Sequence, residues 1–154
     1  MSNVLRLQTN KTQSDMGRVY AEIELIRTGD LSAVADGYLP PALVRRMKVT
    51  VLVDSGADML AINAHIKTQL NLPVIQTREC SLADGSVALL EIVGPVDIRF
   101  ENRETTVRAI VLPGEAEPLL GAIPMEDMDV IIIPYEKKMI PNPKNPNYSY
   151  TSLK

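Results

Sequence analysis

Apolar and polar residues alternate along several stretches of this chain, and a period of two residues is typical of strands with one buried face. Residues 19–26 show it most clearly, with Val, Ala, Ile and Leu alternating with Tyr and Glu. The pattern predicts strands at residues 4–7, 19–26, 47–54, 78–82, 87–93, 96–100, 105–112 and 130–133. The chain is therefore predicted to be predominantly β.

Turn residues separate these stretches. Asp84-Gly85 lies between two predicted strands, and an Asp-Gly pair in that position is a strong hairpin signal. Residues 101–103 are predicted to turn the next strand pair. Residues 29–41 contain Gly, Asp and a Pro-Pro pair, which predict an exposed loop with a turn around Asp36-Gly37.

Only one stretch has a clear helical signal. Asn63 is a suitable N-cap for a helix over Ala64–Leu70, and residues 124–128 are expected to form a single helical turn. Residues 134–154 carry four prolines and little apolar periodicity, so this tail is expected to be extended or disordered.

Composition supports a single domain whose core is aliphatic. The chain has 154 residues, of which only 4% are aromatic and none is Trp, so Val, Ile and Leu must fill the interior. The net charge is −3 with no basic block, which argues against nucleic acid as a partner. Cys80 is the only cysteine, and no apolar stretch has the length of a membrane span. A cytoplasmic protein without membrane association is expected.

The candidate chemistry lies in the sequence Val51-Leu52-Val53-Asp54-Ser55-Gly56-Ala57-Asp58, which occurs once. An apolar strand there ends at an acid, a hydroxyl residue and a glycine, and glycine permits a tight turn. A second apolar pair ending in glycine follows at Leu119-Leu120-Gly121. The alternative interpretation of Asp54 is an acid at a strand end whose side chain caps the turn.

These motifs, in this order and spacing, resemble those of the retropepsin-like aspartic proteases. The resemblance covers roughly residues 19–133 and implies an all-β fold, a small closed barrel with one short helix, assembled as a homodimer. It implies that Asp54, Ser55 and Gly56 form the catalytic loop. Asp54 from each of two copies would share a proton and activate a water. Ser55 would brace the partner's loop, and Gly56 would let the two loops approach closely.

The resemblance also implies which residues meet the substrate, a polypeptide bound as an extended strand. These are expected in the loop and at the hairpin tip: Ala57, Asp58, Ala83, Asp84 and Gly85. The chain departs from the retroviral pattern at Ala122, where those enzymes commonly carry an arginine that pairs with the second acid. Arg45 or Arg46 could take its place.

The predicted function is that of an aspartic endopeptidase, in a domain over residues 1–133 followed by the tail at 134–154. No cofactor or metal is implied. His65 is the only histidine, so no metal cluster or Ser-His pair can be built around a second one, and Cys80 is expected to be a core residue. The alternative is a module of the same fold that dimerises or binds peptides without cleaving them.

Overall fold

The computed structural model describes residues 5–6 and 17–153, which fold mostly as β-strands. The strands are β1 (Leu5–Arg6), β2 (Val19–Arg27), β3 (Arg46–Val53), β4 (Leu60–Ile62), β5 (Val74–Ser81), β6 (Val87–Phe100), β7 (Arg103–Val111), β8 (Leu119–Leu120), β9 (Val130–Ile133) and β10 (Lys138–Pro141). The helices are α1 (Thr28–Ala35), α2 (Ala64–Leu70) and α3 (Ala122–Met128), with 3-10 turns at Pro41–Leu43 and Pro134–Glu136. The predicted predominance of strands is confirmed, but the prediction of one short helix is wrong. No helix within the described residues is long and apolar enough to cross a membrane.

Eight strands form one sheet in the order β1-β5-β6-β2-β3-β8-β4-β7, and β6 also pairs with β7. The remaining strands, β9 and β10, form a separate antiparallel pair. Most neighbours are antiparallel, but three pairs are parallel: β1 with β5, β3 with β8, and β4 with β7. This order places β3 between β2, from the first part of the chain, and β8, from its C-terminal part.

The predicted hairpin at Asp84-Gly85 is confirmed, since it joins β5 to β6 in antiparallel register. Strand β6 is longer than expected. Two strands, residues 87–93 and 96–100, were predicted on either side of Gly94-Pro95, but β6 continues through this pair. A register shift against β7 between Val93 and Val96 accommodates the proline, which cannot donate a backbone hydrogen bond.

The core is aliphatic, as the composition requires. One cluster packs beneath β2, β3 and β6 and includes Ile23, Leu25 and Val51, all 1% exposed or less. A second cluster, which includes Ala61, Cys80 and Leu119, packs beneath the β5–β6 hairpin and β8. Burying such side chains contributes about 1.5–3 kcal/mol each for the larger ones. The second cluster connects the base of the hairpin to the strands around β3.

The exposed loop predicted at residues 29–41 is wrong for its first part, which forms helix α1. Asp30 explains the difference because its side chain is buried and doubly paired: Oδ1 lies 3.0 Å from Arg27 Nη1 and 3.2 Å from Arg45 Nη1. Burial raises the pKa of Asp30, but the hydrogen bond from Arg45 N and the charges of both arginines outweigh it and lower the pKa. The predicted turn at Asp36-Gly37 is present, with φ of 80° at Gly37.

The C-terminal segment contacts the rest of the domain over residues 138–150. Strand β10 pairs with β9, and the following residues reach two groups that we call the tail clamp: Asp129 and Arg103. The Asp129 carboxylate accepts from Asn142 Nδ2 at 3.0 Å, Asn145 Nδ2 at 2.8 Å and Tyr150 N at 3.0 Å. The Arg103 guanidinium donates to the carbonyl oxygens of Asn142 and Asn145.

Arg103 was predicted to lie in the turn at residues 101–103, but it begins β7 and is 1% exposed. Its Nε and Nη1 are buried without a hydrogen-bond partner in the described part of the chain. A buried cation requires nearby polar groups, and the tail carbonyls supply them. The tail thus supplies hydrogen-bond acceptors to Arg103, a buried residue of the main sheet.

Candidate active site

Strand β3 carries Asp54 to the start of a tight loop. Val51 and Val53 are buried at 0% and 7% exposure, which fixes the strand, and Asp54 is the first residue after it. Asp54 Oδ1 accepts a hydrogen bond from Gly56 N at 2.9 Å, and Ala57 N donates to Asp54 O at 3.1 Å. No other hydrogen bond to this carboxylate is present among the described residues. One carboxylate oxygen is thus held by the loop.

Strand β8 lies behind this loop, between the strands that enter and leave it. Leu119 and Leu120 pair with β3 in parallel and with β4 in antiparallel register. Asp54 N also donates to Leu120 O at 3.0 Å. Both ends of the loop are therefore hydrogen-bonded to the same short, fully buried strand.

Gly121 is required by the close contact of two backbones. A Cβ atom at this position would lie 2.5 Å from Met59 O and 2.7 Å from the carbonyl carbon of Asp58. Two further hydrogen bonds join the start of α3 to the loop, from Ala122 N to Ala57 O at 2.8 Å and from Ile123 N to Asp58 O at 3.0 Å. The Leu-Leu-Gly motif therefore supports the Asp54 loop through the backbone.

The other predicted loop residues differ in exposure. Ser55 and Gly56 are exposed, whereas the Ala57 side chain is completely buried, so only its backbone is available to a ligand. Asp58 is half-buried, and its carboxylate has no hydrogen bond or ion pair with the residues that the structure describes. The loop therefore presents two acids, Asp54 and Asp58, on one short segment.

The expectation that Arg45 or Arg46 replaces the missing arginine is wrong within this chain. Arg45 pairs with Asp30, and Arg46 Nη1 lies 3.5 Å from Glu24 Oε1. Both arginines belong to the region around α1 and β2.

The hairpin tip forms a separate group of predicted residues. Ala83, Asp84 and Gly85 are exposed, and Gly85 has φ of 85°, a left-handed conformation that glycine adopts without strain. Asp84 Oδ1 accepts from Ser86 N at 2.9 Å, which orders the turn. Leu82, next to the tip, and Met59, at the end of the Asp54 loop, pack against the same buried cluster.

A pocket of about 340 Å³ lies next to the loop. Its lining residues lie at the end of the loop, at the start of β4, in β5, in β7 and at the start of α3. They are Met59, Leu60, Arg78, Val107, Arg108, Ile123 and Pro124. This pocket could not be predicted from the sequence because its residues lie in segments far apart along the chain. No periodicity or motif marks them.

Other chemistry has little support in the described residues. They contain no group of three or more His, Cys, Asp or Glu side chains placed to hold a metal ion. Cys80 is buried, and burial raises the pKa of its thiol, although the charge of Arg78 acts in the opposite direction. A thiol with a raised pKa is a poor nucleophile. Cys80 is therefore a core residue, as predicted.

A family model described as aspartyl protease matches residues 41–137, a range that contains the Asp54 loop, the hairpin and Leu119-Leu120-Gly121. No curated protein matches the chain.

Proposed function

The chain belongs to this aspartyl protease family of the retropepsin-like clan, and on that premise we propose that it is a homodimeric aspartic endopeptidase. The observation that carries the proposal is the Asp54 loop held from behind by β8 and Gly121. Such a brace fixes a carboxylate at a loop where substrate can reach it. Because Asp54 is the only Asp-Ser-Gly acid in the sequence, the second carboxylate must come from a second copy.

In the proposed mechanism, the two Asp54 carboxylates share one proton, since two such groups in close proximity cannot both ionise readily. The ionised carboxylate takes a proton from a water, whose oxygen attacks the peptide carbonyl carbon. The protonated carboxyl polarises the carbonyl oxygen. The C–N bond then breaks as the amine nitrogen receives a proton from the pair. Because Gly56 N holds Oδ1 of Asp54, the other oxygen is the one proposed to face the water.

The remaining predicted residues have supporting roles in this proposal. Exposed Ser55 would donate a hydrogen bond to the partner's loop, and Gly56 would allow the loops to meet. The substrate would lie as an extended strand below the tip at Asp84-Gly85, where main-chain hydrogen bonds supply much of the affinity. The unpaired Asp58 carboxylate would accept a hydrogen bond from the substrate backbone. We further propose a cytoplasmic location, where the free thiol of Cys80 stays reduced.

One observation favours a second candidate, a module that binds peptides without cleaving them. Ala122 leaves Asp58 without the arginine that retroviral relatives commonly supply, and Arg45 and Arg46 are paired elsewhere. A dimer without that ion pair has one interaction fewer to fix the position of its two loops relative to each other. The intact Asp54 loop argues for cleavage, and the following experiment separates the two.

Asp54→Asn is expected to lower peptide cleavage by a factor of about 10² to 10⁴, because an amide cannot share the proton. The amide oxygen can still accept the hydrogen bond from Gly56 N, so the loop and the oligomeric state should be unchanged. Cleavage of a diverse peptide mixture, read by mass spectrometry at about pH 4 to 7, measures the effect.

The matched control is Asp36→Asn, which makes the same change at an exposed turn and should leave cleavage unaltered. If the Asp54→Asn protein cleaves as well as the unaltered chain, the aspartic mechanism is excluded. If the unaltered chain is dimeric but, like the Asp54→Asn protein, cleaves no peptide, the binding module becomes the better interpretation.

A further inference from the structure

The pocket beside the Asp54 loop has a composition that the proposed mechanism does not use. Its apolar lining includes Met59, Ile123 and Pro124, and two arginines, Arg78 on β5 and Arg108 on β7, border it. The side chain of Met59 follows Asp58 directly, so the pocket begins where the loop ends. A side chain of a polypeptide bound along the loop could enter it.

The two arginines have no partner for their charges. Neither the half-buried Arg78 nor the exposed Arg108 has a side-chain hydrogen bond or ion pair among the residues that the structure describes. Other arginines of the chain do pair with acids: Arg27, Arg45, Arg46 and Arg99. Two guanidinium groups at one pocket repel each other, and an anion placed between them would relieve that repulsion.

Within residues 5–6 and 17–153, no acid lines the pocket to supply this anion. Asp58 is the nearest acid along the loop, but it is not among the residues that line the pocket. Glu79 follows Arg78 on β5, and successive side chains of a strand point to opposite faces. The pocket therefore combines an apolar surface with uncompensated positive charge.

We propose that this pocket is a subsite for an acidic side chain of the polypeptide substrate, and for glutamate in particular. The glutamate methylenes would pack on Met59 and Ile123, and the carboxylate would pair with Arg78 and Arg108. Glutamate fits better than aspartate because its longer stem covers the apolar surface before the charge reaches the arginines. This inference rests on the proposed function, because it assigns the specificity of the same site.

The test compares cleavage of a diverse peptide mixture by the unaltered chain and by the double variant Arg78→Gln with Arg108→Gln. The unaltered chain should select glutamate at one fixed position relative to the cut. The double variant should reduce that selection about ten- to a hundredfold, the effect expected on losing a charge-assisted pair. The control Arg99→Gln removes a charge from β6, where Arg99 Nε lies 3.8 Å from Glu104 Oε2, and should retain the selection.

A charge reversal gives the sharper result. Because Arg108 is exposed, Arg108→Glu should fold, and it should shift the preference at that position towards lysine or arginine. Two results would overturn the subsite: Asp54-dependent cleavage with no preference for acidic residues, or an acidic preference that the double variant retains. Either result would leave the proposed protease function standing.

If no Asp54-dependent cleavage occurs, the proposed function fails, and retention of peptides on the immobilised unaltered chain decides the subsite. Enrichment of glutamate-containing peptides from the same mixture, lost in the double variant, sustains the pocket as an acidic-peptide site. Equal retention by both proteins overturns it.

Discussion

At the scale of single residues, Gly121 has the tightest constraint in the site. Its backbone torsions, φ −91° and ψ −177°, are available to any residue, so conformation alone does not demand glycine. The demand comes from space, because a Cβ atom would lie 2.5 Å from Met59 O. Backbone atoms of the loop cannot move aside without displacing Asp54 and Asp58.

Gly121→Ala is therefore expected to lower the free energy of unfolding by about 1–3 kcal/mol, the usual cost of overpacking, and to reduce cleavage. Urea unfolding and peptide cleavage measure the two effects. The control is Gly29→Ala, where the added Cβ would meet the Arg27 guanidinium that pairs with Asp30 in the region around α1, so it should lower stability without reducing cleavage. Unchanged cleavage in the Gly121→Ala protein would show that β8 does not position the loop.

Asp54 shows why a sequence motif alone could not decide the chemistry. The sequence left two interpretations, a turn cap and a catalytic acid, and the hydrogen bond from Gly56 N shows that the carboxylate does cap its turn. The cap uses one oxygen, so it is compatible with the proposed catalytic role of the other. Arg78 and Arg108 could not be found from sequence because only strand pairing brings them to the loop.

At the scale of elements, the tail clamp holds the C-terminal segment by an acid that works only when ionised. The hydrogen bond from the Asn142 side chain, together with those from Tyr150 N and the Asn145 side chain, lowers the pKa of Asp129 below its usual value. An acid whose pKa is lowered on folding stabilises the folded state above its ordinary pKa of about 3.9. The stabilisation is lost as the pH falls further, through the lowered pKa.

Residues 142–150 are therefore expected to keep their hydrogen bonds to Asp129 across the range proposed for catalysis and to lose them only below about pH 4, whereas β10 stays paired with β9. The NMR signals of the Tyr150 amide and the Asn142 and Asn145 side-chain amides should follow one titration there. In the Asp129→Asn protein, these signals should lie at the positions of unbound amides at every pH. In the Asp36→Asn protein, they should behave as in the unaltered chain. Attachment that persists at low pH in the unaltered chain would contradict the assignment of Asp129 as the anchor.

Elements with strong local signals were predicted well, and those held by distant contacts were not. Helix α2 was predicted from Asn63, whose side chain accepts from Ile66 N at 3.0 Å, and the β5–β6 hairpin from Asp84-Gly85. Helix α1 has Gly and Asp in its first turn, so it looked like a loop until Arg45 paired with Asp30 from 15 residues away. Strand β10 was missed because its partner β9 and the tail clamp, rather than its own periodicity, hold it.

At the scale of the whole molecule, the chain supplies one carboxylate to a reaction that is proposed to need two. In the described structure, β8 and α3 support one Asp54 loop. Sharing a proton requires two carboxylates, and one chain supplies only one Asp54. If the active unit is a C2 dimer, both copies contribute the same residue to one shared site. A dimer with one inactive subunit should then have no cleavage activity.

Mixing the unaltered chain with an equal amount of Asp54→Asn tests this dependence. With random re-pairing of subunits, about one quarter of the dimers carry two intact carboxylates, so activity should fall to about 25% of that of the same total amount of unaltered chain. A protein active as a monomer would retain about half. Mixing with Asp36→Asn should leave activity unchanged and controls for loss during exchange. An activity near half, from proteins shown by light scattering to exchange subunits, would place both catalytic groups within one chain and overturn the shared site.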